Sequence, residues 1–283
     1  MKLTIERLEH IKNNGFSLDF GEVFNEAFEN YKKTALIVGV IMLLFMIIFG
    51  ILGFGFVGVL AGVGSYTEFL TNLKPSPNTS TTMLIIGFFS KITVAGCIAP
   101  LTAGILKINY NASINEEVSI GTAFEFYQSK SFKSLFIAAV FIATFLYAVE
   151  LAANFIWMKD LTNINPEDIY EISGSTMLAT TFNIVAIIFV TISTVLVIPL
   201  IVFGNLSPID AIKNSFLLIF KKFWIVFALL FVAVILSFIG FIAICIGVLF
   251  TIPFYYSTVF AIYKNSVGIE NISEIDQIGN SEF

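Results

Sequence analysis

From Phe223 to Tyr263 the chain is apolar almost without interruption. That is about twice the ~20 residues one helix needs to cross a bilayer, and a water-soluble fold has no way to bury so long a run. The run is read as a transmembrane hairpin, interrupted near Ser237 and Gly240. A different kind of segment leads into it. Ser207-Pro208-Ile209-Asp210 reads as a helix start, with a serine cap, proline at the first helical position and a carboxylate in the positive first turn. Ala211, Ile212, Ser215, Phe216, Ile219 and Phe220 then recur at helical spacing, and Lys221 and Lys222 close the helix at its negative end.

The same plan occurs twice earlier. Asp19, Ser119 and Ser207 align at the presumed caps, Phe24, Phe124 and Ile212 on the apolar face, and Lys33, Lys133 and Lys221 at the membrane edge. The second span of each copy carries one proline, Pro100, Pro199 or Pro253, in the settings Ile-Ala-Pro, Val-Ile-Pro and Thr-Ile-Pro. A repeat of this length sets the fold. The expected architecture is an all-α integral membrane protein with six transmembrane helices. They form three repeats, each an interfacial amphipathic helix followed by a transmembrane hairpin, in a pseudo-threefold arrangement. The units run from about 16 to 108, 116 to 204 and 205 to 267 within one membrane domain, and 268 to 283 is expected to be a disordered acidic tail.

Composition agrees. Of 283 residues, 57% are hydrophobic and 12% charged, where a soluble domain carries about a quarter charged. The net charge of -5 offers no broad basic surface, so nucleic acid is excluded as a partner. Cys97 and Cys245 fall inside predicted spans without zinc or redox spacing, and read as small apolar fillers. The first 34 residues hold Lys2, Glu6, Arg7, Glu9 and Lys12 and no apolar signal core, so the first span is expected to direct insertion.

In order, Ile5, Leu8 and Ile11 suggest one more surface helix over residues 1 to 15. From Asp19 to Lys33 the helix is expected to place Phe20, Val23, Phe24, Ala27, Phe28 and Tyr31 on one face and Glu22, Asn25, Glu26, Glu29 and Asn30 on the other. That apolar face suits either the headgroup layer or the protein's own spans. Spans are expected over about 35–63, 82–108, 134–157 and 177–203, with a second interfacial helix over 116–132. Gly58 and Gly62 form a GxxxG that suits close helix packing within the chain or a dimer contact. With both termini inside, the inner segments hold most lysines and the outer loops only Lys74 and Lys159. The positive-inside rule then places the N and C termini in the cytoplasm. Lys32, Lys33, Lys133, Lys221 and Lys222 become candidate contacts to anionic lipid, each attracted by about 1 kcal/mol close to the surface.

Two charged residues lie well inside predicted spans, Lys91 and Glu150. Each sits roughly 12 Å from the outer end at 1.5 Å per residue, so an ion pair between spans two and three is feasible. It reads either as a transport or gating element or as a structural, snorkelling pair. The prolines would leave the carbonyls of Gly96, Val195 and Leu249 without helical partners, as simple kinks or as breaks that line a cavity. Enzyme signatures are scarce. His10 is the single histidine, no P-loop, GxSxG or HExxH occurs, and neither a metal nor a cofactor is expected. The carboxylates at 160, 167, 168 and 171 read as a solvated outer loop in preference to a divalent-cation site, since nothing in the sequence fixes their geometry.

The stretches FGEVFNEAFENYKK and NLSPIDAIKNSFLLIFKKFW, each feeding a span, resemble a broad group of bacterial multi-pass inner-membrane proteins. That group includes the membrane domain fused to some glycerophosphoryl diester phosphodiesterases. The resemblance implies a six-helix protein of the bacterial cytoplasmic membrane and supplies no reaction, since the phosphodiesterase domain itself is not in this sequence. The expected role is non-enzymatic: organising or sensing membrane lipid, or another membrane protein, through the cytoplasmic helices. The alternative is a small-solute or ion transporter built on Lys91 and Glu150.

Overall fold

The structure is a computed structural model that describes residues 2–61, 81–161, 174–242 and 246–269. Among these residues every regular element is helical and none is a strand. The α-helices are α1 (Lys2–Asn14), α2 (Phe20–Ala61), α3 (Thr81–Ser113), α4 (Ile120–Phe124), α5 (Phe132–Leu161), α6 (Gly174–Ser193), α7 (Val197–Val202), α8 (Pro208–Lys221), α9 (Phe223–Ile242) and α10 (Ile246–Ser266), with a 3-10 turn at Glu125–Tyr127 after α4. Four stretches are long and apolar enough to cross a membrane: Phe20–Ile51, Leu84–Ser113, Phe132–Ala153 and Met177–Val202; the pair α8 and α9, bent by 97° at their junction, makes a fifth if counted as one span. The chain is a multi-pass membrane protein in this coarse sense.

The bend has a local cause. Ser207 caps α8 by accepting from the N–H of Asp210 at 3.3 Å, Pro208 starts it, and Lys222 leaves helical geometry at φ -134 and ψ 32. The chain therefore ends one helix and starts another. No such break separates the expected first interfacial helix from its span. Phe20 to Ala61 is one helix of 42 residues, about 63 Å long, because nothing from Glu22 through Ala35 is a helix breaker. The second interfacial helix is much shorter than 116–132. After the Ser119 cap only Ile120–Phe124 is α-helical before the 3-10 turn, and Tyr127 in that turn is drawn toward α3, as described below. The expected interruption near Ser237 and Gly240 also moves, since α9 runs through both to Ile242. Positions 62–80, 162–173, 243–245 and 270–283, with the expected outer loops and acidic tail, lie outside the described residues.

In chain order each long helix packs on the next: α2 on α3, α3 on α5, α5 on α6, α6 on α9 and α9 on α10. The last, α10, then packs along the first, α2, more extensively than any other pair described. Burial is concentrated at one end of this closed circuit. Val23, Ala27, Val38 and Ile41 of α2, Ala103 and Leu106 of α3, Leu135 of α5, Leu200 of α7, Ile219 of α8 and Phe260 of α10 are all buried, and α1 covers that end with Leu8 and Ile11. At the other end large apolar side chains stand exposed, among them Met46, Ile51, Phe89, Phe145, Phe182 and Phe238. Lipid is the solvent that suits them.

The face of α2 differs from expectation. Its buried stripe is Val23, Ala27, Asn30, Thr34, Val38 and Ile41, whereas Phe20 and Phe28 are exposed. Asn30, expected on the wet face, is 4% exposed. The helix is rotated so that its small residues meet α10 and α3, and its phenylalanines flank the contact.

Candidate functional site

The buried end of the bundle is held by polar ties. Asp19 accepts from the N–H of Glu22 at 2.9 Å, and Ser119 from that of Thr122 at 3.3 Å, so the expected caps form at the head of α2 and α4. Farther along α2, Asn30 donates to the backbone oxygen of Asn109 at 2.9 Å and to its Oδ1 at 3.0 Å; that same Oδ1 accepts from Ser257 at 2.7 Å. Asn109 donates to the Ile105 carbonyl at 2.9 Å. One buried junction thus ties α2, α3 and α10, with the Asn30 carbonyl accepting from Thr34 and Asn30 Oδ1 left without a partner among the described residues. At its rim Glu26 pairs with Lys264 and accepts from Asn265 at 2.6 Å. Lys33 donates to the Ala112 carbonyl at 3.1 Å and to Asn115 at 2.7 Å, and Lys107 straddles the Glu125 carboxylate at 2.7 and 2.8 Å. None of the Asn30, Asn109 or Ser257 roles was foreseen. The available signal was Asn109, an amide inside the largely apolar run AGILKINY.

All three prolines are buried, and a segment from elsewhere leans on each. Near Pro100, inside α3, the Tyr127 hydroxyl donates to the Cys97 carbonyl at 2.5 Å. Burial pushes the Tyr127 pKa above its ordinary value, with the Cys97 thiol as a second cause. Before Pro199 the helix stops altogether: α6 ends at Ser193 and α7 begins at Val197. Ser215 of α8 fills that gap, donating to the Ser193 carbonyl at 2.7 Å and accepting from the Leu196 N–H at 3.3 Å. A serine on an otherwise apolar stripe was its sequence signature. These bonds fall on the Cys97 and Ser193 carbonyls, one residue after Gly96 and two before Val195, where the freed carbonyls were expected. After Pro253, inside α10, the Phe254 ring is met edge-on by Phe24, Phe28 and Tyr31 at 5.6, 6.3 and 5.6 Å.

Lys91 and Glu150 do meet. They form an ion pair between α3 and α5, with the ammonium also 5.1 Å from the Tyr147 ring centre. Tyr147 is fixed by donating to the Leu84 carbonyl at 2.8 Å and by contact with Phe88. The charged side chains are 45% and 32% exposed, which puts the pair on the outside of the bundle, where its ends can reach the headgroup layer.

The five candidate lipid lysines differ in how committed they are. Lys32 pairs with Glu29 on the surface, Lys33 is tied to the end of α3 as above, and Lys133 is exposed. Lys221 donates to the Lys12 carbonyl at 3.0 Å, and Lys222 lies 6.0 Å from the Phe16 ring centre. Together with Asn14, Gly15, Phe16 and Ser17 these last two line an open cleft of about 550 Å³. Gly15 shapes its wall. With φ +76 it closes α1, its N–H donating to the Ile11 carbonyl at 2.8 Å, the left-handed ending that glycine adopts without strain.

Among the described residues no group of three or more His, Cys, Asp or Glu is placed to hold a metal ion. Cys245, the GxxxG partner Gly62 and the carboxylates at 167, 168 and 171 lie outside the described residues. Comparison with protein-family models, with curated proteins and with solved structures finds no match for this chain.

Proposed function

We propose that the chain is a non-enzymatic, six-span protein of the bacterial cytoplasmic membrane, with both termini in the cytoplasm, that organises or senses lipid through its cytoplasmic amphipathic segments. The observation that carries this is the gathering of polar and cationic side chains at one end of the bundle. There Lys32, Lys133, Lys221 and Lys222 stand close in sequence to the exposed Phe28, Phe132, Phe220 and Trp224. Cations beside exposed aromatics are the composition of a helix surface that works in the headgroup layer.

The proline contacts support a threefold repeat. Tyr127 of the second unit reaches the Pro100 region of the first, and Ser215 of the third reaches the break before Pro199 of the second. Phe24, Phe28 and Tyr31 of the first unit close on Phe254, next to Pro253 of the third. Each amphipathic segment leans on the proline of the preceding unit, and the first leans on the last, as a pseudo-threefold ring requires. The test is reconstitution into vesicles with and without anionic lipid. The expected result is enrichment of anionic lipid around the protein that weakens when Lys32, Lys33, Lys221 and Lys222 are changed to Gln; no enrichment in the unaltered protein would sink the reading.

The second reading, a transporter using Lys91 and Glu150, draws on their meeting between α3 and α5. Single cysteines at 91 and 150 in a Cys97→Ala, Cys245→Ala background decide it. Labelling by a water-soluble thiol reagent from the cytoplasmic side would favour an aqueous path, and protection from that side would leave a lipid-facing pair.

A further inference from the structure

The cleft between the α1–α2 linker and the end of α8 combines charge, position and free hydrogen-bonding groups. Its lining contains two cations, Lys221 and Lys222, and no carboxylate. The two walls come from distant parts of the chain and are held together by the Lys221 bond to the Lys12 carbonyl and by Lys222 over Phe16. The backbone N–H groups of Phe16 and Ser17 have no acceptor among the described residues, and both residues line it. Its depth in the membrane is set by its neighbours. Lys222 immediately precedes the apolar helix α9, and on either side Phe220 and Trp224 are 55% and 77% exposed. Aromatics and lysines in that order mark the headgroup level, where a lipid presents its phosphate.

Two helix C-termini, of α1 and α8, also end at the cleft and set their negative ends against an anion. Lys221 offsets one of them by capping the Lys12 carbonyl, which leaves Lys222 and the linker amides for a ligand. We propose that this cleft binds the phosphate of an anionic lipid headgroup at the cytoplasmic surface, an inference that rests on the lipid reading above and gives it a site. At about 1 kcal/mol per cation near the surface, one or two effective cations correspond to a preference for anionic over zwitterionic lipid of about 5- to 30-fold.

Trp224 follows the cleft's Lys222 by two residues and is exposed, so it serves as the local probe. In a Trp157→Phe background, its fluorescence in phosphatidylcholine vesicles is titrated with brominated phosphatidylglycerol and, separately, with brominated phosphatidylcholine. The expected result is quenching by the glycerol lipid at about 5- to 30-fold lower mole fraction. Lys221→Gln with Lys222→Gln should remove the difference, Lys221→Arg with Lys222→Arg should keep it, and both pairs should melt with the parent protein. A preference that survives the glutamine pair overturns the site. A preference abolished by millimolar inorganic phosphate assigns the cleft to free phosphate and overturns the lipid source. Failure of the site and of the broader reading separate by lipid analysis of the purified protein. Phosphatidylglycerol retained by the protein but unseen by Trp224 removes the cleft alone, whereas neither signal removes both.

Discussion

Substituting Ser215 by alanine tests whether α8 holds the break in the fourth long segment closed. Ser215 is fully buried, and its one hydroxyl serves both ends of the gap, the Ser193 carbonyl at 2.7 Å and the Leu196 N–H at 3.3 Å. Alanine fits the space and strands both groups. A buried group left unpaired costs about 1–3 kcal/mol, but double-mutant cycles within membranes average about 0.6 and reach about 1.7 kcal/mol for one bond. The short bond to Ser193 belongs near the upper figure and the long one from Leu196 near the lower, so the expected loss is about 2 kcal/mol. The assay is equilibrium unfolding in mixed micelles, with hydrogen exchange at the Leu196 amide as the local readout. Removing the cause of the break should relieve the defect. Pro199→Ala restores an N–H at 199 and should cost less in the Ser215→Ala background than alone. Ser215→Ala within about 0.5 kcal/mol of the parent, the range of an ordinary surface change, together with unaltered exchange at Leu196, would refute the latch.

Two further predictions concern packing and charge. A Cβ at Gly104 would sit 2.1 Å from the Ala123 backbone oxygen, whereas one at Gly96 meets the Phe136 ring at 2.4 Å. A backbone cannot turn aside as a ring can, so Gly104→Ala should destabilise by more than the 1–3 kcal/mol typical of overpacking, and Gly96→Ala by about that amount, as read by melting in detergent. For the intramembrane pair, Lys91→Met and Glu150→Gln should each lower the melting temperature, and the double variant should recover most of the loss, because the single changes strand a charge. With both side chains substantially exposed the coupling should be about 1 kcal/mol at most, and a loss in the double equal to the sum of the two single losses would show that the pair does not act as a unit.

Several of these features could be read from residue order alone. The caps at Asp19, Ser119 and Ser207 follow from local chemistry, since the acceptor and the N–H it serves are three residues apart. The pairing of Lys91 with Glu150 followed from counting depth along two spans that are neighbours in the chain. What local pattern could not give was rotation. The phenylalanines of α2 look like its inner face until α10 is in place, and α10 is more than two hundred residues away. Its close packing selects Ala27 and Asn30, which allow approach, over Phe20 and Phe28. The short α4 was hidden for a similar reason, because the tie from Tyr127 to Cys97 competes with continuing the helix.

The circuit that closes α10 onto α2 also has a temporal side. Of the long helices described, the first to be synthesised has its principal partner in the last, and at about 5–20 residues per second the wait between Asn30 and Ser257 lasts on the order of ten seconds or more. Throughout that interval Asn30 lacks the Ser257 end of its junction, which reaches it through Asn109, and Glu26 lacks Lys264. Both lie in the amphipathic opening turns of α2, where water can reach an unaccompanied helix, and not in its apolar stretch. Placing the junction there lets the half-made protein rest in the membrane without a stranded amide in hydrocarbon, and gives the final helix a polar register to find when it arrives.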